Sequence, residues 1–332
     1  MTLEAFQDGA LMAILASAEG LYRLLFSPTS RTFYPYLLPS LIVAVAIEWH
    51  QRRRADPASY PSTLFSRQTW LGRSAMSDYW LIVLNAAVLG YFLSSFTGSL
   101  FESLEQILPR KTIQGQSEFS GFLKALLVAA ILFIADDFAR FWLHWLEHRI
   151  GFLWEFHKVH HSAEQLNFLT AERHHPVSAV YYSIGFFMIA GLVNLLLING
   201  LIGQVSPASL LGGNLFWIAA NLLCSTLRHS PVWLSFGPRI ERHLISPAQH
   251  QIHHSDDPRH FDRNFGSTLA VWDRLFGTLY LTTSRPEPIR FGLGEETRHY
   301  RSPWQLYWTP CLMAWRRVRG LFLLPSGFRR PR

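Results

Sequence analysis

Three short windows of this chain gather histidines at helical spacing: His144-x-x-x-His148, His157-x-x-His160-His161 and His250-x-x-His253-His254. Intervals of three and four residues put imidazoles on one helix face, roughly 6 Å apart, where several can converge on one ion. Eight of the 15 histidines fall in these windows, and the tight His-x-x-His-His pattern occurs twice. Neutral imidazole suits zinc, copper, iron and nickel, and a structural zinc closes with four ligands. Eight nitrogens therefore predict two ions, about 3.5 to 4 Å apart. Cys224 lies in an apolar stretch and Cys311 near the C-terminus, without a thiolate ligand pattern, so the donor set is nitrogen. For His50, His174, His175, His229, His243, His260 and His299 the default is a surface or internally satisfied imidazole, and His50, His260 and His299 stay there.

The elements that must position these residues are apolar. The chain has 332 residues, 49% hydrophobic and 16% charged, against about 25% charged in an average soluble domain. Leu81 to Phe101 carries no charged residue, and similar blocks run over Tyr36–Trp49, Phe122–Ala135, Val180–Gly203 and Ala208–Leu227. Runs of about 20 such residues are long enough to cross a bilayer. Ala10–Phe26 is interrupted by Glu19 and Arg23 and can span, lie in the interface or pack within the bundle; its acidic start, Glu4 and Asp8, lacks the basic region of a cleaved signal peptide. Arg52, Arg53, Arg54, Arg67 and Arg73 put the loop after the second block in the cytosol by the positive-inside rule. Alternation then places all three histidine clusters on the cytosolic side, with the hairpin from Val180 to Leu227 returning the third cluster to the first two. The net charge of +7 becomes a surface facing anionic lipid. The arginines follow membrane boundaries and form no basic stripe, which argues against nucleic acid. Trp142, Trp145, Trp154, Trp217 and Trp233 fall near the expected interface, as an aromatic belt does.

The expected fold is all-α: a polytopic membrane helical bundle with a cytosolic histidine-rich cap holding a dinuclear metal site. Residues 1–332 form a single membrane domain, with residues 130–280 as its catalytic region and 281–332 as a basic C-terminal tail.

The residues around the clusters carry a resemblance. Asp137-Phe138-x-x-Phe141-Trp142-x-His144-x-x-x-His148 is followed by Leu153-Trp154-x-x-His157-x-x-His160-His161-Ser162 and Arg173-His174-His175-Pro176. Ser246-Pro247-x-x-His250-x-x-His253-His254, Asn264-Phe265-Gly266 and Trp272-Asp273-Arg274-Leu275-Phe276-Gly277-Thr278 come later. In this order the set, covering roughly residues 130 to 280, resembles the fatty acid hydroxylase superfamily, also called the sterol desaturase family. The resemblance implies an integral membrane, non-haem diiron oxygenase that uses O₂ and electrons to hydroxylate or desaturate a lipid. It assigns His144, His148, His157, His160, His161, His250, His253 and His254 as catalytic metal ligands and adds His229 and His175, the latter equally able to anchor a turn before Pro176. Ser225 stands where the family would supply a further histidine.

Asp137, seven residues before His144 and on nearly the same helical face, is placed to hold a ligand imidazole, or else to pair with Arg140 or Arg173. Asn264 and Asp273 are candidates for similar support. The expected function is O₂-dependent C–H hydroxylation of a sterol, fatty acyl or related lipid that enters from the bilayer, with two iron ions as cofactor. Desaturation on the same centre, zinc-dependent hydrolysis and non-catalytic metal binding are the alternatives. No dinucleotide fingerprint, haem attachment site or ferredoxin cysteine set is present, so electrons must come from a separate redox partner, a reductase with a cytochrome b5 or ferredoxin-type carrier. The expected location is the bacterial inner membrane or the endoplasmic reticulum, with the metal site on the cytosolic side.

Overall fold

A computed structural model describes residues 3–27, 30, 32–53, 64–86, 118–193, 216–283 and 285–323. Among these residues the chain is helical, without β-strands; two isolated antiparallel bridges, Leu244 with Leu269 and Ser255 with Phe291, tie loops together. The helices are α1 (Leu3–Phe26), α2 (Tyr34–Arg52), α3 (Arg67–Leu71), α4 (73–86), α5 (Glu118–Arg149), α6 (Gly151–His161) and α7 (Pro176–Val193). Then come α8 (216–220), which continues through a π-turn at Asn221–Ser225 and a 3₁₀ turn at Thr226–His229, α9 (Pro238–Glu241), α10 (Pro247–His253), α11 (Val271–Phe276) and α12 (Pro303–Leu323).

Local signals set the elements that matter for the site. Ser246 and Gln249 close a reciprocal box, with the Ser246 hydroxyl accepting the Gln249 N–H at 3.1 Å and the Gln249 side chain accepting the Ser246 N–H at 2.9 Å. Pro247 follows at the first helical position, where its missing N–H costs nothing. This start fixes the phase in which α10 presents His250 and His253. A second box, Asn167 with Thr170, opens the 3₁₀ turn Phe168–Glu172. Only Ile150 separates α5 from α6, so the last turn of one and the body of the other meet at a corner. α7 packs closely on α5 because Gly185 has no side chain; a Cβ there would sit 2.7 Å from Leu143.

The interior is stitched by polar contacts as much as by apolar ones. Among the described residues its apolar clusters are small: Ala44, Leu64, Phe168, Leu227 and Val232; Leu81, Val159, Tyr300 and Leu306; Trp233, Ala248 and Ile252. Between them lies Arg173, 1% exposed. Its guanidinium donates to Asp78 at 2.7 Å, the Ser74 and Val159 carbonyls at 3.1 and 2.9 Å and the Ser162 hydroxyl at 2.9 Å. Asp78 also accepts from Thr170 and Asn167, at 2.9 and 3.3 Å. One ion pair thus joins α4, the end of α6 and the 3₁₀ turn. Glu241 does the same for the later segments, accepting from the Ser235, Ser246 and Thr282 hydroxyls and from the Phe236 and Thr282 N–H groups.

Two expectations change. No helix among the described residues is long and apolar enough to cross a membrane. The blocks at Tyr36–Trp49 and Phe122–Ala135 lie within α2 and α5. The other three extend into residues 87–117 and 194–215, outside the described set. Residues 281–332 are also more than a basic tail. Tyr300 and Leu306 are buried against Leu81 and Val159, and α12 packs along α6. The arginine count of this segment conceals an apolar face with helical spacing.

Removing Asp78 leaves the Arg173 guanidinium buried without its counter-charge, which costs about 3–5 kcal/mol in such pairs. Asp78→Ala is expected to lower the thermal unfolding midpoint markedly, whereas Asp257→Ala, at a pair whose arginine is largely exposed, leaves it nearly unchanged.

Candidate metal centre

The three histidine windows converge. His144 and His148 lie on the last turns of α5, His157, His160 and His161 on α6, His250 and His253 on α10 with His254 as its cap, and His229 ends the segment after α8. Ring centroids of His144 and His253, 109 positions apart in the numbering, are 4.4 Å from each other. Nine histidines form two adjoining nests. One contains His144, His148, His157, His161 and His253, the other His160, His229, His250 and His254, and within each nest the ligand nitrogens lie within 4.8 Å of one another. Ligands on opposite sides of one ion, each about 2.1 Å from it, are separated by nearly this distance. The nests share a wall in which His161 stacks on His254 at 4.6 Å.

What surrounds the rings decides which nitrogen faces inward. His144 Nδ1 lies 2.9 Å from the Phe265 carbonyl, His253 Nδ1 2.7 Å from the Arg263 carbonyl and His157 Nδ1 2.8 Å from the Glu147 carboxylate. Each acceptor keeps the proton on Nδ1, so Nε2 presents a bare lone pair to the nest. His144 Nε2 and His157 Nε2 then face each other at 3.1 Å with no proton between them, an arrangement that a cation resolves. His148 Nε2 and His253 Nε2 are buried without a hydrogen-bond partner among the described residues. In the second nest, Nε2 of His229 lies 3.2 Å from that of His160 and 3.0 Å from that of His250, which is 3.2 Å from that of His254. The nitrogen donors, their inward lone pairs and their number fit two transition-metal ions.

Burial is the main cause, with neighbouring imidazoles next, that holds His144, His148, His160, His161, His250 and His254 well below the ordinary imidazole range. His253 is pushed down to about 3, again chiefly by burial. These seven rings are therefore neutral at physiological pH, the form that binds metal.

The structure places the remaining candidates as follows. His175 stands outside both nests. Its Nδ1 accepts the Val177 N–H at 3.2 Å and its Nε2 faces the Tyr307 carbonyl at 3.0 Å, so it anchors the start of α7 to α12 instead of turning toward an ion. His174 stacks flat on His160 at 4.7 Å. His50, His243 and His299 are exposed, whereas His260 is buried against Ser255, 2.9 Å away.

Asp137 holds neither a ligand imidazole nor the proposed arginines. Arg140 pairs with Asp136 and Arg173 with Asp78. Asp137 instead accepts the Thr268 and Leu269 N–H groups and the Trp272 indole at 2.8, 3.0 and 2.9 Å, pinning the segment after Phe265 onto α5. Asp273 binds the Phe265 and Gly266 N–H groups at 2.8 and 2.7 Å and the Thr278 hydroxyl at 2.6 Å, and burial pushes its carboxyl up to about 6. Asn264, at φ +57°, bridges the Gln249 carbonyl and the Tyr280 N–H. These residues support the site indirectly, by shaping the loop whose carbonyls hold His144 and His253. A Cβ at Gly266 would lie 2.8 Å from the Asp273 carboxylate, so glycine is required there.

Sequence reasoning left Glu147 and Asp262 without roles. Glu147 is fully buried on α5 and accepts from His157 and from the hydroxyls of Tyr181 and Tyr182 on α7. Asp262 lies 3.5 Å from His148 Nδ1. A carboxylate three residues after His144 and one before His148 was the available signal for the first; nothing local marks the second.

Glu147→Ala is expected to weaken metal binding in the five-histidine nest by roughly 10- to 100-fold, measured by metal titration, while Glu147→Gln keeps an acceptor for Nδ1–H and loses less. The pH dependence follows from the neutral rings. Below about pH 6.5 unfolded imidazoles take up protons that the folded ones refuse, so metal-free protein loses stability as pH falls from about 6.5 to 5 and shows no histidine-driven change above pH 7. Thermal unfolding across this range measures the slope, which His253→Gln should reduce.

Residues 129–278 match the family model described as Fatty acid hydroxylase. An alkylglycerol monooxygenase of Xenopus tropicalis is 27% identical over 185 residues, covering 56% of this chain and 37% of that protein. Its human counterpart of the same name is 28% identical over 186 residues, covering 53% and 37%. An ornithine lipid hydroxylase OlsE of Rhizobium tropici is 31% identical over 164 residues, covering 48% and 44%. The matched part of the chain thus spans less than half the length of these relatives, and no solved structure matches. Residues 129–278, where both nests lie, are thus similar to the fatty acid hydroxylase family.

Proposed function

We propose that this protein is an O₂-dependent lipid hydroxylase that works with two iron ions, one in each histidine nest. The observation that carries the reading is the pair of adjoining nests, five and four histidines, inside the segment that matches the family. Relatives named alkylglycerol monooxygenase and ornithine lipid hydroxylase support a lipid as substrate. In the overall reaction one oxygen atom of O₂ enters a lipid C–H bond. The other leaves as water, with two electrons and two protons from an external reductase and its cytochrome b5 or ferredoxin-type carrier.

Iron bound in the nests would supply the one-electron redox chemistry and O₂ activation that no side chain provides. The chain's own residues perform the remaining tasks. Phe265 O, Arg263 O and Glu147 keep protons on the outward imidazole nitrogens and hold the rings in place. Burial of His157, His160, His161, His229, His250, His253 and His254 keeps bulk water from the centre, which protects a strong oxidant from quenching.

A lipid substrate requires access from a bilayer. Apolar side chains exposed along α2 (Leu38, Leu41, Ile42 and Val43), α5 (Leu123, Leu126 and Leu127) and α7 (Val180, Ile184 and Met188) support contact with one. In the proposed arrangement these helices enter the membrane and the nests sit just beyond it, on the cytosolic side.

Protein purified anaerobically in mild detergent is expected to carry close to two iron atoms per chain. Cells expressing it under ¹⁸O₂ should accumulate lipid species heavier by one labelled oxygen, and His160→Ala or His253→Ala should abolish both iron binding and product. A single tetrahedral zinc at full occupancy, or products lacking the label, would reject the hydroxylase.

A further inference from the structure

We propose that α12 is an in-plane membrane helix whose tryptophan face lies in the interface of a leaflet carrying anionic headgroups. The inference rests on the bilayer reading above. On α12, Trp304, Trp308, Leu312 and Trp315 are 71, 56, 49 and 62% exposed. At about 100° per residue these four positions fall within an arc of about 80°. The opposite arc is occupied: Leu306 and Ala314 are buried, as is Pro310, where the helix packs along α6. Three tryptophans in one exposed stripe are poorly suited to water. Indole has an apolar body and a polar N–H, the combination that collects at headgroup depth.

The charges select the occupant. α12 contains no acidic residue and carries Arg316, Arg317 and Arg319 in its C-terminal half. Arg317 turns inward to Glu155, leaving Arg316 and Arg319, both exposed, beside the stripe. From residue 281 to the end there are ten arginines against three acids, an excess equal to the net +7 of the whole chain. A second copy of the same face would oppose like charges, whereas an anionic leaflet complements them. With Pro310 inside it and arginines in its C-terminal half, the helix fits a place along a bilayer surface and not across it.

Position agrees with charge. The Tyr307 hydroxyl donates to Asn85 on α4 at 2.6 Å, and the Tyr307 carbonyl lies 3.0 Å from His175 at the start of α7. The tryptophan stripe is therefore tied beside α7, one of the helices proposed to enter the membrane, and beside α4.

The test uses full-length protein in lipid nanodiscs with a third of the lipid anionic, in a Cys224→Ala, Cys311→Ala background. Spin labels are placed one at a time at Trp308→Cys, Leu312→Cys and, as an exposed reference, Glu295→Cys. Collision with O₂, which concentrates in lipid, relative to a water-soluble nickel complex is expected to be several-fold higher at 308 and 312 than at 295. The excess should fall when the anionic lipid is replaced by zwitterionic lipid. Labels at 308 and 312 as accessible to nickel as the label at 295 would overturn the proposal. Shielding from both reagents would overturn it too, because a protein surface would then cover the face. If the protein does not remain with the nanodiscs, the bilayer reading itself has failed; if it remains and the labels are wet, only the role of α12 has.

Discussion

Nine imidazoles must share one interior with nitrogens aimed at common points, and most of the surrounding architecture serves that demand. An imidazole left to itself can present either nitrogen. An acceptor fixed behind Nδ1 removes the choice, since the proton stays where it is hydrogen-bonded and Nε2 is left bare. Phe265 O, Arg263 O and Glu147 do this for His144, His253 and His157. The result is an assembly of imidazole nitrogens at 3.0–3.2 Å in a buried space, which cations among them would relieve.

Two of those acceptors are backbone carbonyls of a loop, which explains why so many polar contacts concentrate on residues 262–280. A loop carbonyl is a dependable acceptor only if the loop cannot move. Asp273 binds two of its N–H groups, Asp137 pins its next turn to α5, and Asn264 ties it to α10 and Tyr280. Asp262 and Asn264 adopt positive φ, which lets the chain double back tightly, and Gly277 closes α11 in the same region of conformational space. The carboxylates that looked like partners for ligand rings act one step further out, holding the backbone that holds the rings.

The same logic accounts for the balance of the core. A site with this many buried polar groups cannot be enclosed by a large continuous apolar cluster. Among the described residues the apolar clusters are small and separated, and buried ionic hubs at Arg173 with Asp78 and at Glu241 join the helices between them. Such hubs contribute position more than net stability, and position to within a fraction of an ångström is what convergent ligands require.

The sequence by itself determined the donor chemistry. Three windows with intervals of three and four residues define which imidazoles share a helix face, because helical periodicity is local; eight of the nine nest histidines were legible this way, and their motif order carried the resemblance. It could not determine how the nine divide. His161 belongs with His144 while its neighbour His160 belongs with His229, since adjacent residues on a helix point about 100° apart and only the packing of α5, α10 and the end of α8 around α6 decides what each meets. The resemblance offered both His229 and His175; tertiary contact gave His229 a place in a nest and His175 a structural carbonyl. Glu147 received its role in the same way, from a ring on the next helix and two tyrosines on α7. Spacing along a chain reports the faces of single elements, and a metal nest is made where the faces of several elements meet.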